Sequence, residues 1–487
     1  MSRDIRAKIK ISANLVADLP ISIGGGVVGE MVDIDLARDG QGRFYIPGSS
    51  LAGPMSTWVE MNLSDGEFIV EKLFGYRKKN KGDTEGYASC MAVGDAVIRD
   101  ESAARERRHG ISIRKDTGTA KDGFFYTRAL LPRGTSFNLE MEMDVTEPDG
   151  KTAVGALKLL LEAMEKGDIR FGSCKTRGFG AMSLRDIDID YYDFSGQNAS
   201  DNLDKWLNGE NSDKRGLETL GEFGDSGVSF CGNRHRYELT INWAPRSRIM
   251  VKSGKDGIET NMLPLVSASG EGVLPVIPGS SIKGALRSQA CRIIKTMFGD
   301  IEDGDERFGV VSCLFGDTTR SGLAFINDVY LAADPVSKAG WMGEDWAEMN
   351  RVTLHEDHVA IDRFTGGASE EALYSARPTP RTVSVTNDGG ITHSELCWDP
   401  IRITVDFSAR KNGSCGVAEK ERLPALALLF LLIKDLKNGL IPLGFGTNRG
   451  FGEIEINTVE WGSFPHEQSL KEAWINWVNQ MTEGRQQ

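Results

Sequence analysis

Five landmarks occur twice in this chain, in the same order. Ile46-Pro47-Gly48-Ser49-Ser50-Leu51-Ala52-Gly53 returns as Ile277-Pro278-Gly279-Ser280-Ser281-Ile282-Lys283-Gly284, and Leu73-Phe74-Gly75 returns as Leu314-Phe315-Gly316. Ala92-Val93-Gly94-Asp95 is matched by Phe325-Ile326-Asn327-Asp328, a short run with a polar end in each case. Ile113 to Ala120 is matched by Ile361 to Ala368, and Arg177-Gly178-Phe179-Gly180 by Arg449-Gly450-Phe451-Gly452. Ordered repetition of this kind marks a duplicated structural unit, so two copies of one fold are expected in tandem. The offset between copies grows from about 230 to about 270 residues, so the second copy carries insertions. Ala333 to Arg351 is one candidate, and Arg377 to Asp399, with Pro-Thr-Pro-Arg and Asp-Gly-Gly turn signals, is another.

The expected organisation is a first domain over 1–195, a polar linker over 196–232, a second domain over 233–462 and a helical C-terminal tail over 463–487. Within the linker, Trp206 and Leu207 suggest one short helix. Each copy opens on an alternating pattern that predicts a half-buried strand: Ile5, Ala7, Ile9 and Ile11 in the first, Tyr237, Leu239 and Ile241 in the second. The Pro-Gly-Ser-Ser block predicts a helix start with serine as N-cap. Longer helices are expected over Thr152 to Lys166 and Ala418 to Lys437. Strands with two helices on one face give an α+β fold of ferredoxin or RRM type.

Composition narrows the class. No apolar run approaches the length of a membrane span; the richest, Leu423 to Ile433, reads as a buried helix. The N-terminus runs straight into a strand pattern, so no signal peptide is expected. Seven scattered cysteines without a Cys-x-x-Cys pair point to reduced thiols in a cytoplasmic protein. The net charge of −13 argues weakly against nucleic acid, but binding needs only a local basic surface. Basic residues do cluster, at Arg77-Lys78-Lys79, Arg105 to Arg108, Arg114-Lys115 and Lys175 to Arg177.

Taken together, Ile23-Gly24-Gly25, the Tyr45 to Gly53 block, Leu-Phe-Gly, the segment around Gly118 and the terminal Arg-Gly-Phe-Gly loop resemble the RAMP superfamily of CRISPR-associated proteins. The resemblance covers both copies and points to a fused double backbone subunit of a type III effector, III-D-like. It implies two tandem modified RRM domains, each with a thumb hairpin and a glycine-rich loop. It also implies crRNA and target RNA as ligands, and as partners a large Cas ten-type subunit, further RAMP backbone subunits and a small subunit.

Several residues then become candidates. Ser49, Ser50, Ser280 and Ser281 at helix N-termini suit a phosphate, aided by the helix dipole. Lys283 and Arg287 would add charge in the second copy, where the first has Ala52 and Ser56. The plain alternative for Ser50 and Ser281 is an N-cap. Lys175, Arg177 and Arg449 sit in the glycine-rich loops, whose backbone can approach a sugar–phosphate chain closely; the alternative is a tight turn needing positive φ. The thumb-like segments Arg107 to Arg133 and His355 to Arg381 contribute Arg114, Lys115 and Arg363, with Phe124 and Phe125 as an apolar wedge or as hairpin packing.

The resemblance implies target cleavage by an aspartate before the Pro-Gly-Ser-Ser turn. The family spacing lands on Asp33, with Asp35 as fallback and Asp39 shaping a turn. The expected chemistry is attack of a 2′-hydroxyl on the phosphate, assisted by Mg²⁺ or Mn²⁺ held by Asp33. In the second copy the place falls near Asn261 or Met262, so that half is expected to bind without cutting; Asp256 and Glu259 are the carboxylates nearby. His109, His355 and His358 lie outside the segments where histidine catalysis is expected, and His355 with His358 is a weak metal pair. The alternatives are a non-catalytic RNA-binding scaffold and a guide-end-capping or processing relative.

Overall fold

The computed structural model describes residues 4–25, 32–77, 86–100, 105–114, 120–147, 149–195, 197–223, 227–231, 235–254, 260–299, 301–302, 304–341, 346–387, 390–408 and 419–483. Lys78, Lys79, Lys115, Gly118, Asp256 and Glu259 lie outside the described residues. The chain divides into two compact units: Met1–Gly110, Phe125–Lys175 and Phe179–Arg234, and Ile111–Phe124, Thr176–Gly178 and His235–Gln487.

In the first unit the alternation read from the sequence becomes the central strand Ile5–Ala17, whose Ala7, Ile9, Ile11, Leu15 and Ala17 are fully buried. It pairs antiparallel with Ser136–Thr146 on one side and Met182–Asp193 on the other. From edge to edge the sheet runs Lys214–Arg215, Met182–Asp193, Ile5–Ala17, Ser136–Thr146, Ala96–Ile98 and Tyr45–Ile46, with Met91–Val93 also joined to Ser136–Thr146. The order fourth-first-third-second among its principal strands is that of a ferredoxin-like fold. Helices Gly48–Asn62 and Gly150–Glu165 supply Leu51, Met55, Val59, Leu157, Leu160 and Leu161 to one core with the sheet. Each such buried side chain contributes roughly 1.5–3 kcal/mol.

The second unit repeats this order: Ala324–Ile326, Ile401–Asp406, Arg236–Pro245 and Ile454–Trp461. Even an irregularity recurs, since the register between first and last strand shifts at Ser12/Asn14 in one unit and Asn242/Trp243 in the other. Its helices are Gly279–Phe298 and Glu419–Lys437. The apolar run over the latter is buried from Ala425 to Phe430, with Leu432 and Ile433 beyond, whereas Leu423 at its start is exposed.

The insertions fall where the growing offset puts them. Residues 333–351 hold strand Val336–Ser337 and helices Lys338–Trp341 and Trp346–Met349, and 377–399 hold the hairpin Thr382–Asn387 with Gly390–Glu395. A further sheet is built on the hairpin Val266–Ser269 with Gly272–Ile277; its pairing of Ile277 with Val329 matches that of Ile46 with Ala96, and among the described residues the hairpin itself has no counterpart in the first unit. The stretch expected as linker is folded: helix Ala199–Asn208, edge strand Lys214–Arg215 on Met182–Asp193, and helix Leu217–Phe223, whose Leu220 is buried. The C-terminal segment forms helix Glu467–Glu483, with Leu470 and Trp477 in the core. So an extra helix follows the last strand in both units.

Candidate nucleic-acid interface

The Pro-Gly-Ser-Ser helices start three residues earlier than Ser50 and Ser281 as N-caps predict. They begin at Gly48 and Gly279, the N-cap positions are Pro47 and Pro278, and no side chain of the cap residue bonds there. The capping group is instead the aspartate that ends the third landmark. Gly48 N–H donates to the Asp95 carboxylate at 2.8 Å, and Gly279 N–H donates to Asp328 at 2.8 Å. A carboxylate against the positive end of the helix dipole stabilises it. The glycines are obligatory: a Cβ on Gly48 would stand 2.2 Å from the Val93 carbonyl oxygen, and on Gly279 2.1 Å from that of Ile326. The motif therefore recurs because strand and helix start are locked together.

Ser49 and Ser280 are exposed one residue into these helices, and Ser50 and Ser281 are half-buried with their N–H groups donating to Pro47 and Pro278 carbonyls. Lys283 turns inward. It is buried, donates to the Ala324 carbonyl at 3.0 Å, and burial, with Arg177 and Arg287 as like charges, lowers its pKa to about 7. Arg287 is half-buried on the same helix.

The glycine-rich loops close against an extension of each first strand. Gly180 and Gly452 have φ +80° and +81°, and a Cβ there would meet the Phe171 or Leu443 carbonyl at 2.0 or 2.1 Å. The positive φ of the plain turn reading is thus present. Lys175 and Arg177 bound one short 3-10 turn, Thr447–Arg449 forms the other, and Arg177 and Arg449 are exposed. Arg449 donates to the Tyr374 hydroxyl at 2.6 Å, joining the second loop to its thumb. In the first unit Arg128 on the thumb donates to Ser173 at 2.6 Å and Ser22 at 3.3 Å, while Ser173 donates to the Ser22 carbonyl at 2.9 Å. Strand extension, thumb and glycine loop thereby meet at one place.

Asp33 joins them there. It is exposed, and its Oδ2 accepts the Thr127 N–H at 2.7 Å, while the Asp33 N–H returns to the Thr127 carbonyl at 3.0 Å. Asp35 is half-buried, accepts its neighbour Leu36 N–H at 2.8 Å and pairs with Arg105 at 3.3 Å. Asp39 does shape a turn: it accepts the Gln41 and Arg43 N–H groups, which with the Arg43 guanidinium outweigh desolvation and lower its pKa. The second unit has the same backbone frame. Ala129 N–H donates to the Ile34 carbonyl, and Arg377 N–H to that of Met262. Counting back one residue, Asn261 replaces Asp33, and its Oδ1 accepts the Ser375 N–H at 2.9 Å.

The thumbs are hairpins: Glu106–Ile113 with Ala120–Leu130, and Glu356–Ile361 with Ala368–Ala376. At each base an acid lies two residues before a basic side chain that packs on the Gly-Phe-Gly phenylalanine. Arg108 is 3.9 Å from Glu106 and 5.5 Å from the Phe179 ring; His358 is 3.6 Å from Glu356 and 5.7 Å from the Phe451 ring. Burial raises the Glu356 pKa, against Arg248 and His358. Phe124 and Phe125 are 51% and 61% exposed, Phe364 at the second turn is fully exposed beside exposed Arg363, and Arg114 is exposed on the first hairpin. Sequence reasoning set His109 aside, yet its Nδ1 lies 3.0 Å from the Thr127 hydroxyl and its ring stacks on Phe125 at 5.1 Å. It also did not identify Asp95 and Asp328 as caps; their recurrence at the end of a landmark was the available signal.

Among the described residues no three His, Cys, Asp or Glu side chains are placed to hold a metal, and no helix is long and apolar enough to cross a membrane. A family model described as the RAMP superfamily matches residues 16–183 and 264–455. No curated protein matches the chain.

Proposed function

The chain belongs to the RAMP superfamily, whose proteins bind crRNA and work in CRISPR complexes, and on that premise we propose that it is a type III backbone subunit that cuts target RNA at Asp33. The guide would lie along both halves, held mainly through its sugar–phosphate backbone, with target choice left to base pairing. Its partners would be a large Cas ten-type subunit, further RAMP backbone subunits and a small subunit of a III-D-like assembly.

The supporting observation is the exposed Asp33 carboxylate, oriented by a thumb N–H beside the glycine-loop and strand-extension contacts. A lone carboxylate fits a Mg²⁺ or Mn²⁺ ion whose other ligands are phosphate oxygens and water, the usual Mg²⁺ arrangement. Such an ion supplies stabilisation of charge on the phosphate. The thumb splays the target so that a 2′-hydroxyl attacks the adjacent phosphate, giving a 2′,3′-cyclic phosphate and a 5′-hydroxyl. Asn261 carries no charge in the matching place, which favours a scaffold role for the second half.

Asp33→Ala in the guide-loaded complex is the test. One cut in a paired target should disappear while guide content is retained. Persistence of every cut would refute the assignment, and loss of guide maturation would favour the processing reading.

A further inference from the structure

We propose that His109 is the general base of the first half's cleavage site, taking the proton from the attacking 2′-hydroxyl; this rests on the reading of Asp33 given above. Two hydrogen bonds through one residue connect the groups. His109 Nδ1 is 3.0 Å from the Thr127 hydroxyl, and the Thr127 N–H holds Asp33 Oδ2 at 2.7 Å. Phe125 stacks on the imidazole at 5.1 Å and 20°, which fixes the ring plane while the residue stays exposed. A carboxylate engaged with a cation is a poor proton acceptor, whereas imidazole is the side chain that exchanges protons between pH 5 and 8.

The second half gives an independent argument. Glu106 and Arg108 correspond to Glu356 and His358 by their matching acid–base pairs and phenylalanine contacts, so at the hairpin base position 109 corresponds to Val359, and the second strand is two residues shorter on its way to the Ile113–Ile361 landmark. The half with aspartate has histidine there; the half with asparagine has valine, which cannot carry a proton. Both groups differ together on a shared backbone frame.

In the step, the 2′-O–H proton passes to His109, the 2′-oxygen bonds to phosphorus and the P–O5′ bond breaks. The departing 5′-oxygen takes a proton from water, and the imidazolium returns its own to the hydroxide so formed. Single-turnover cleavage by the full-length, guide-loaded complex should be followed from pH 5 to 9 for wild type, Asp33→Ala, His109→Ala and His109→Gln. Both His109 variants should lose at least about 100-fold at pH 7, within the usual range for a general base, and should lose the limb of the wild-type pH profile that the base contributes. Added imidazole should restore cleavage to His109→Ala. Wild-type rates and pH profile in His109→Gln, or a loss that imidazole does not reverse, would overturn the proposal. A site that survives Asp33→Ala would instead overturn the reading beneath it.

Discussion

The two halves aim the same backbone N–H at two different side chains. Thr127 N–H meets a carboxylate in the first half, and Ser375 N–H meets an amide in the second. Strand order, the bulge beside the first strand, the aspartate cap and the thumb all repeat, so the two halves share a scaffold and differ in the side chain that meets this N–H. A neutral amide satisfies the N–H as well as a carboxylate does but cannot neutralise a cation. On the role proposed for Asp33, binding geometry and cutting chemistry would be separable on this fold.

Making the halves alike is the sharpest way to break that comparison. Asp33→Asn should lower the first cut at least about 100-fold, equivalent to about 2.7 kcal/mol of barrier, with fold and guide retained; cleavage mapping by gel reads it. Asn261→Asp should add a new chelator-sensitive cut in the target, strengthened by Val359→His; an unchanged cut pattern would show that the second site lacks more than charge. Gly48→Ala and Gly279→Ala should each destabilise their own unit by about 1–3 kcal/mol through overpacking, seen as a lowered unfolding temperature. Asp95→Ala and Asp328→Ala should each cost about 1 kcal/mol, the second more because Asp328 is buried and Asp95 exposed. The smallest effect concerns the closing helices. Glu467, hydrogen-bonded by Lys434 and Lys471, has its pKa lowered to about 2. A depressed carboxylate contributes stability above its unfolded value near 4.5 and loses it as pH falls towards 2, so Glu467→Gln should lower the unfolding temperature slightly at pH 6 and not at pH 2.

The duplication was legible because motif identity survives in sequence. Ile5 to Ile11 disclosed the central strand, and the thumb landmark Ile113 to Ala120 falls on the ends of the two hairpin strands. The stretch read as the counterpart of the Asp33 loop, near Asn261 or Met262, is where Asn261 accepts the Ser375 N–H. Serine at the helix start misled, since N-cap preference is local while the group that caps Gly48 arrives from Asp95, 47 residues on. His109 was missed for the same reason: its tie to Thr127 spans the hairpin, and no periodicity encodes it. The inward turn of Lys283 likewise depends on strand Ala324–Ile326 packing beneath its helix.

Thr127 belongs at once to the hairpin strand and to the anchorage of Asp33. The carboxylate therefore travels with the hairpin's root. A strand that levers the hairpin away would carry the anion out of alignment, and one that seats it would restore the aim.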